Sequence, residues 1–271
     1  MDANTSNLKR KISDLYRNSG TKQKLKSRFY KKVYKSIDLI STETEETFSL
    51  LHDDDFFSGL NIQKIPNGLE NLPLYEKLPA KEHMIISVAR FGTVQKNTEL
   101  LLTALSEVIL NDWKVYLIGS VEKDFETYIE SFFSEHPSLR EKIFFVGEIS
   151  DKETLCSYYA RARVFLLPSR YEGFAIAPLE AASFLDYLIL SDTGAAKDLI
   201  PEDSFGYILP ESRLNSQNEK VMQYALIKKL NRIISGTDKT NNDIDKRKDF
   251  VTKFLMKNIV KMNCFSEWIS Q

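Results

Sequence analysis

From residue 84 onward, short apolar runs alternate with stretches whose apolar residues recur every three or four positions. Met84–Ala89, Lys114–Ile118, Ile143–Val146, Val164–Leu167 and Tyr187–Leu190 read as strands. Asn97–Leu110, Phe125–Ser134 and Lys152–Arg161 carry the helical spacing, and the tail from Asn215 to Gln271 reads as helical. Apolar strands alternating with helices through short connections predict an α/β fold with a Rossmann-like parallel sheet covered on both faces. Such sheets bind ligands at the carboxyl ends of their strands, where the strand order reverses.

Upstream the pattern changes. Leu8 to Asp38 reads as helical with a break at Asn18-Ser19-Gly20. Leu8, Ile12, Leu15 and Tyr16 share one narrow apolar face, and Leu25, Phe29, Val33 and Ile37 share another. Asp38–Thr42 then predicts a short strand, and Thr42-x-x-Glu45 a capping box that opens a helix to about Leu51. Asn61–Ile65 predicts a second strand, closed by a turn at Pro66-Asn67-Gly68. His52-Asp53-Asp54-Asp55 reads as a solvated loop, because no apolar strand flanks it as a metal-binding D-x-D motif needs. Pro73 to Pro79 reads as a linker.

Charge sharpens this division. The 271 residues carry a net charge of −1, yet Lys9 to Lys35 holds eleven Lys or Arg against one acid, Asp14. A basic rim on a narrow apolar face suits a partner helix or an anionic membrane surface. Nucleic acid is not expected, since no binding motif accompanies the charge. No apolar run reaches the ~18 residues of a membrane span, and the first residues are polar, so no signal peptide is expected. Cys156 and Cys264 form no metal spacing and no disulfide framework, which fits a cytoplasmic chain.

Candidate chemistry concentrates after two of the strands. Arg90-Phe91-Gly92-Thr93-Val94-Gln95-Lys96 follows the first strand of the sheet, and a planar guanidinium and a lysine at a helix start suit a diphosphate. Ser169-Arg170-Tyr171-Glu172-Gly173-Phe174 through Pro178-Leu179-Glu180-Ala181-Ala182 follows the strand at Val164–Leu167. Its helix start favours an anion, yet Glu172 and Glu180 would repel one, so the carboxylates suit hydroxyl groups flanking a phosphate. A glycosidase acid/base pair is not favoured: eight helical positions span about 12 Å, beyond the roughly 5–9.5 Å between catalytic carboxyls. No G-x-G-x-x-G follows the first strand, which disfavours a dinucleotide oxidoreductase.

The segment Glu172-Gly173-Phe174 to Glu180 resembles the E-x7-E signature of retaining glycosyltransferases of family 4, whose fold is the two-domain GT-B. The resemblance implies transfer of a sugar from a nucleoside-diphosphate sugar to a glycan or lipid-linked acceptor, with no metal cofactor. It implies that Arg90 and Lys96 hold the diphosphate, that Glu180 binds the ribose, and that Glu172 binds the transferred sugar. Gly173, Phe174 and Ala175 would line that sugar and phosphate, and Val146, Gly147 and Glu148 would receive the base. By the same resemblance, residues 1–75 are the end of an N-terminal acceptor domain with its linker, and residues 76–271 the donor-binding domain with a closing crossover helix. The rest of the acceptor domain would come from elsewhere, for instance a separate chain. A non-catalytic nucleotide-sugar-binding module is the alternative. The chain departs from the family at Ala175, where a second Gly is usual, and at Asp198, where Glu is common.

Overall fold

The computed structural model describes residues 21–210, 216–240 and 243–262, together with Leu8 and Lys11. Helix α1 (Thr21–Tyr34) leads into β1 (Ile40–Thr42), α2 (Glu45–His52) and β2 (Ile62–Lys64). The main body is β3 (Met84–Val88), α3 (Thr98–Ser106), β4 (Lys114–Ile118), α4 (Glu126–Glu135), β5 (Ile143–Gly147), α5 (Lys152–Arg161), β6 (Val164–Leu167), α6 (Ile176–Ser183), β7 (Tyr187–Ser191), α7 (Ala196–Leu199) and β8 (Gly206–Leu209). Helices α8 (Ser216–Ile234), α9 (Ile244–Thr252) and α10 (Met256–Met262) follow.

Strands β3 to β8 form one parallel sheet in the order β5-β4-β3-β6-β7-β8. This is the doubly wound arrangement, and its reversal point lies between β3 and β6. Alternation along each strand feeds two separate cores. Ile85, Val164, Leu166 and Ile189 meet α3, α4 and α8 on one face. Met84, Ile86, Phe165 and Leu188 meet α5, α6 and α9 on the other. Because both faces are buried, these strands are continuous apolar runs, and that is why they read clearly.

Strands β1 and β2 pair in parallel as a separate small sheet, with Ile40 opposite Ile62. Leu51, Phe56 and Phe57 form its core, and Tyr34 of α1 packs its ring edgewise on both phenylalanines. This unit docks on the main body through Asp198. The Asp198 carboxylate accepts from the Glu45 amide at 3.1 and 3.3 Å, and Lys64 pairs with both Asp198 and Glu45.

Several expectations need correction. The capping box does not form: Thr44 caps α2 by accepting from the Thr47 amide, while Thr42 belongs to β1. Helix α1 ends at Tyr34, where Ser36 Oγ donates back to the Val33 carbonyl. The turn at Pro66-Asn67-Gly68 does not form either. That stretch is assigned no turn and leads to the bridge between Leu69 and Leu255. Gly68 is needed for closeness, since a Cβ there would lie 2.6–2.9 Å from Ile259, Met256 and the Phe254 carbonyl. The described part of the tail is helical as expected, in three pieces that break after Ile234 and again after Thr252. Strand β8 was not expected at all, being four residues at the sheet's edge. The first apolar face, at Ile12, Leu15 and Tyr16, and the residues past Met262 lie outside the described residues.

Candidate functional site at the sheet's reversal point

Three loops converge at the carboxyl ends of β3, β6 and β7. The loop after β3 is shaped by its threonines: Thr98 Oγ1 accepts from the Gly92 amide at 2.9 Å, and the Lys96 amide turns back to the Thr93 carbonyl. It is stitched to the loop after β6 by the Arg170 amide, which donates to the Gln95 carbonyl at 2.8 Å. The Arg170 side chain extends the seam, donating to the Val94 carbonyl at 2.7 Å and pairing with Glu219 of α8.

Inside this seam Lys96 meets Glu172. Lys96 Nζ lies 2.6 Å from Glu172 Oε1, with side-chain exposures of only 17% and 9%. Gln95 Nε2 occupies the other oxygen at 3.1 Å and also donates to the Tyr171 carbonyl. Both carboxylate oxygens are therefore engaged, and Glu172 cannot rotate without breaking the set. Gln95 lies in the motif after β3, and no role for it is legible there. Its importance lies in a contact 77 residues distant, which local pattern cannot reveal.

The loop after β7 closes the site from its far side. Ser191 Oγ donates to the Ser169 carbonyl. Gly194 (φ +56°) lies so close to the β6 loop that a Cβ would fall 2.1 Å from the Gly173 carbonyl oxygen and 2.9 Å from Glu172 Cβ. Gly194→Ala combines left-handed backbone strain with overpacking, and a loss of about 2–4 kcal/mol in urea unfolding is expected; an unchanged midpoint would show that the two loops are not locked together. Beneath these loops, the space bounded by Leu167, Glu172, Phe174, Ala175, Pro178 and Thr193 amounts to about 10 Å³, at most one water.

The departure at Ala175 has a conformational consequence. Ala175 holds φ +63° and ψ 101° at the start of α6, a conformation suited to glycine. Ala175→Gly should remove about 1–2 kcal/mol of strain while adding about 0.4–1 kcal/mol of unfolded-chain freedom. A small net stabilisation in a urea titration is expected, and a clear loss would contradict it.

The other candidates stand apart from this pair. Glu180, in the second turn of α6, accepts from Tyr159 Oη at 3.0 Å. Burial, helped by Glu180, pushes the Tyr159 phenol far above its ordinary range, so it remains a donor. Burial and the same carboxylate also push the Cys156 thiol up. Arg90 does not join Lys96: its side chain is 67% exposed and pairs with Glu122, beside an open cavity of about 500 Å³ lined also by Gly92, Thr93 and Asp124. Val146 and Gly147 end the edge strand β5 and Glu148 follows it; the Gly147 carbonyl accepts from the Gly119 amide, and the space around Gly147 is open. Among the described residues, no three His, Cys, Asp or Glu side chains converge as a metal site would require.

Comparison with known proteins decides what this architecture is. The family described as glycosyl transferases group 1 matches residues 74–240. The chain belongs to that family. A lipopolysaccharide core biosynthesis mannosyltransferase, LpcC of Rhizobium leguminosarum bv. viciae, is 30% identical over 131 residues, 46% of this chain and 36% of the relative. A glycogen synthase of Desulfitobacterium hafniense is 30% identical over 121 residues, 44% of this chain and 25% of the relative. The chain thus spans about a third or less of those relatives. The pneumococcal O-GlcNAc transferase GtfA, solved with UDP and GlcNAc, superposes with a TM-score of 0.72 at 18% identity, over 89% of this chain and 46% of that one. The main sheet is accordingly the Rossmann-like half of a GT-B glycosyltransferase fold.

Proposed function

We propose that this chain is the donor-binding part of a retaining glycosyltransferase, which takes a sugar from a nucleoside diphosphate and passes it to a glycan or lipid-linked acceptor. One observation carries the reading: Lys96 and Glu172, from loops after β3 and β6, meet at 2.6 Å at the sheet's reversal point. There Lys96 would take the diphosphate, and Glu172, released from it, would turn an oxygen to the sugar hydroxyls. Glu180, held by Tyr159, would accept from the ribose. The amides at the start of α6 would add their donors to the phosphate. In an oxocarbenium-like transition state negative charge collects on the departing diphosphate, and Lys96, Arg90 and those amides stabilise it without a metal. Arg90 would have to leave Glu122 to take part. Residues 76–271 would form this donor domain, and residues 1–75 the end of an acceptor domain completed elsewhere.

The rival is a nucleotide-sugar-binding module that has lost transfer. Thermal unfolding with UDP, GDP, ADP and their sugars tests the proposal. Ligand at ~100 times its dissociation constant should add about 2.7 kcal/mol, and the shift should vanish in Glu180→Ala. No shift with any nucleotide would remove the donor assignment. A shift together with no sugar transfer or donor hydrolysis would favour the module.

A further inference from the structure

The apolar stripe of α1 has no place in that chemistry. Leu25, Phe29 and Val33, four residues apart, are 65%, 64% and 42% exposed, and Ile37 continues the line past the helix end. They point away from the protein. The opposite side of α1 faces the body: Tyr34 packs on Phe56 and Phe57, and Lys31 Nζ reaches the Asp55 carbonyl at 3.5 Å. On the helical wheel Arg28 and Lys32 flank the stripe on one shoulder and Lys26 on the other. From Leu25 to Ile37 there are five Lys or Arg and no acid.

We infer that α1 docks this protein in the plane of an anionic lipid surface, with Leu25, Phe29 and Val33 sunk into the headgroup boundary. Two features favour lipid over a protein groove. Protein interface cores are depleted in Lys, whereas lysines beside an apolar stripe lay their stems on it and lift their charges to lipid phosphates. Four of the five cations here are Lys. The helix lies in the surface and does not cross it: it has 14 residues, about 21 Å, and no helix among the described residues is long and apolar enough to span a membrane. The inference stands on α1 alone and does not depend on the donor site.

Vesicle sedimentation of the full chain tests it, comparing phosphatidylglycerol–phosphatidylcholine vesicles with pure phosphatidylcholine. Binding is expected to the anionic vesicles only, and to weaken as salt shortens the screening length from ~10 Å at 0.1 M to ~3 Å at 1 M. Neutralising Arg28 and Lys32 by Gln should cut the partition coefficient about fivefold per charge. Phe29→Glu with Val33→Glu should abolish binding. Since these side chains leave the body, the same variant should keep the wild-type thermal midpoint and any nucleotide-induced shift. Equal binding to both vesicles, or binding unaffected by the variants, would overturn the inference. So would the absence of vesicle binding, including the case in which light scattering shows a dimer that Phe29→Glu dissociates, which would make a second copy the occupant.

Discussion

Lys81→Met is expected to destabilise the fold increasingly as pH rises above 7, by up to about 3–5 kcal/mol, because it strips the partner from a fully buried carboxylate. Asp186 precedes β7 at the end of the sheet opposite the candidate site, and Lys81 precedes β3. Lys81 Nζ lies 2.5 Å from Asp186 Oδ1 and 3.0 Å from the Tyr159 carbonyl. Arg247 of α9 completes the cluster by donating to the carbonyls of Leu185, Asp186 and Thr240. Burial pushes the Asp186 carboxyl up to about 7, against the opposing charges of Lys81 and Arg247, and burial likewise lowers Lys81. The sign of the pH dependence follows. Between the unfolded pKa near 4 and the folded value near 7, the folded chain holds a proton that the unfolded chain has released, so this group's contribution falls as pH rises through that window. Removing Lys81 raises the folded value further and extends the fall to higher pH. The Lys81→Met penalty should therefore be small at pH 5 and grow as pH rises above 7 in urea titrations. A penalty that does not change with pH would mean that lost packing, not the orphaned carboxylate, is responsible.

How far the sequence anticipates this molecule depends on whether the deciding interaction is local. Strands β4 and β6 have the bounds their apolar runs predict, and β3, β5 and β7 differ by one residue at the C-terminal end. They belong to a sheet covered on both faces, whose strands are mostly apolar although β3 admits the buried Ser87 and β4 opens on Lys114. Strand β8 escaped notice because Gly206–Leu209 is short and lies at the edge, next to the acidic loop at Glu202 and Asp203. Pro66-Asn67-Gly68 carries a strong turn signal, yet its glycine serves contact with Phe254 and Ile259, far along the chain. The same limit applies at the site. That Lys96 and Glu172 follow strands of one sheet is legible, and the switch point brings them together. Their clamps are not legible: Gln95 on Glu172, Arg170 on Val94 and Glu219, and Tyr159 on Glu180 all join distant segments whose residue types are ordinary. Arg90 shows the converse, a motif position that the fold turns toward Glu122.

Lys96→Ala is expected to abolish donor use, lowering sugar transfer or donor hydrolysis by at least ~10²–10³-fold, the usual cost of removing one group aimed at developing charge. Two effects combine at this position. On the proposed reading Lys96 would supply positive charge to the leaving diphosphate, and it also compensates Glu172, a residue only 8% exposed. Without Lys96, Glu172 retains only Gln95 as a side-chain donor among the described residues, so an anionic donor would meet an uncompensated carboxylate in a buried seam. The double variant Lys96→Ala with Glu172→Gln separates the effects. If repulsion by Glu172 dominates, the nucleotide-induced thermal shift should return while transfer stays lost, because the charge that stabilises the leaving group is still missing. If charge supply dominates both steps, neither returns. Wild-type transfer by Lys96→Ala alone would remove Lys96 from the site and would make its contact with Glu172 a structural ion pair.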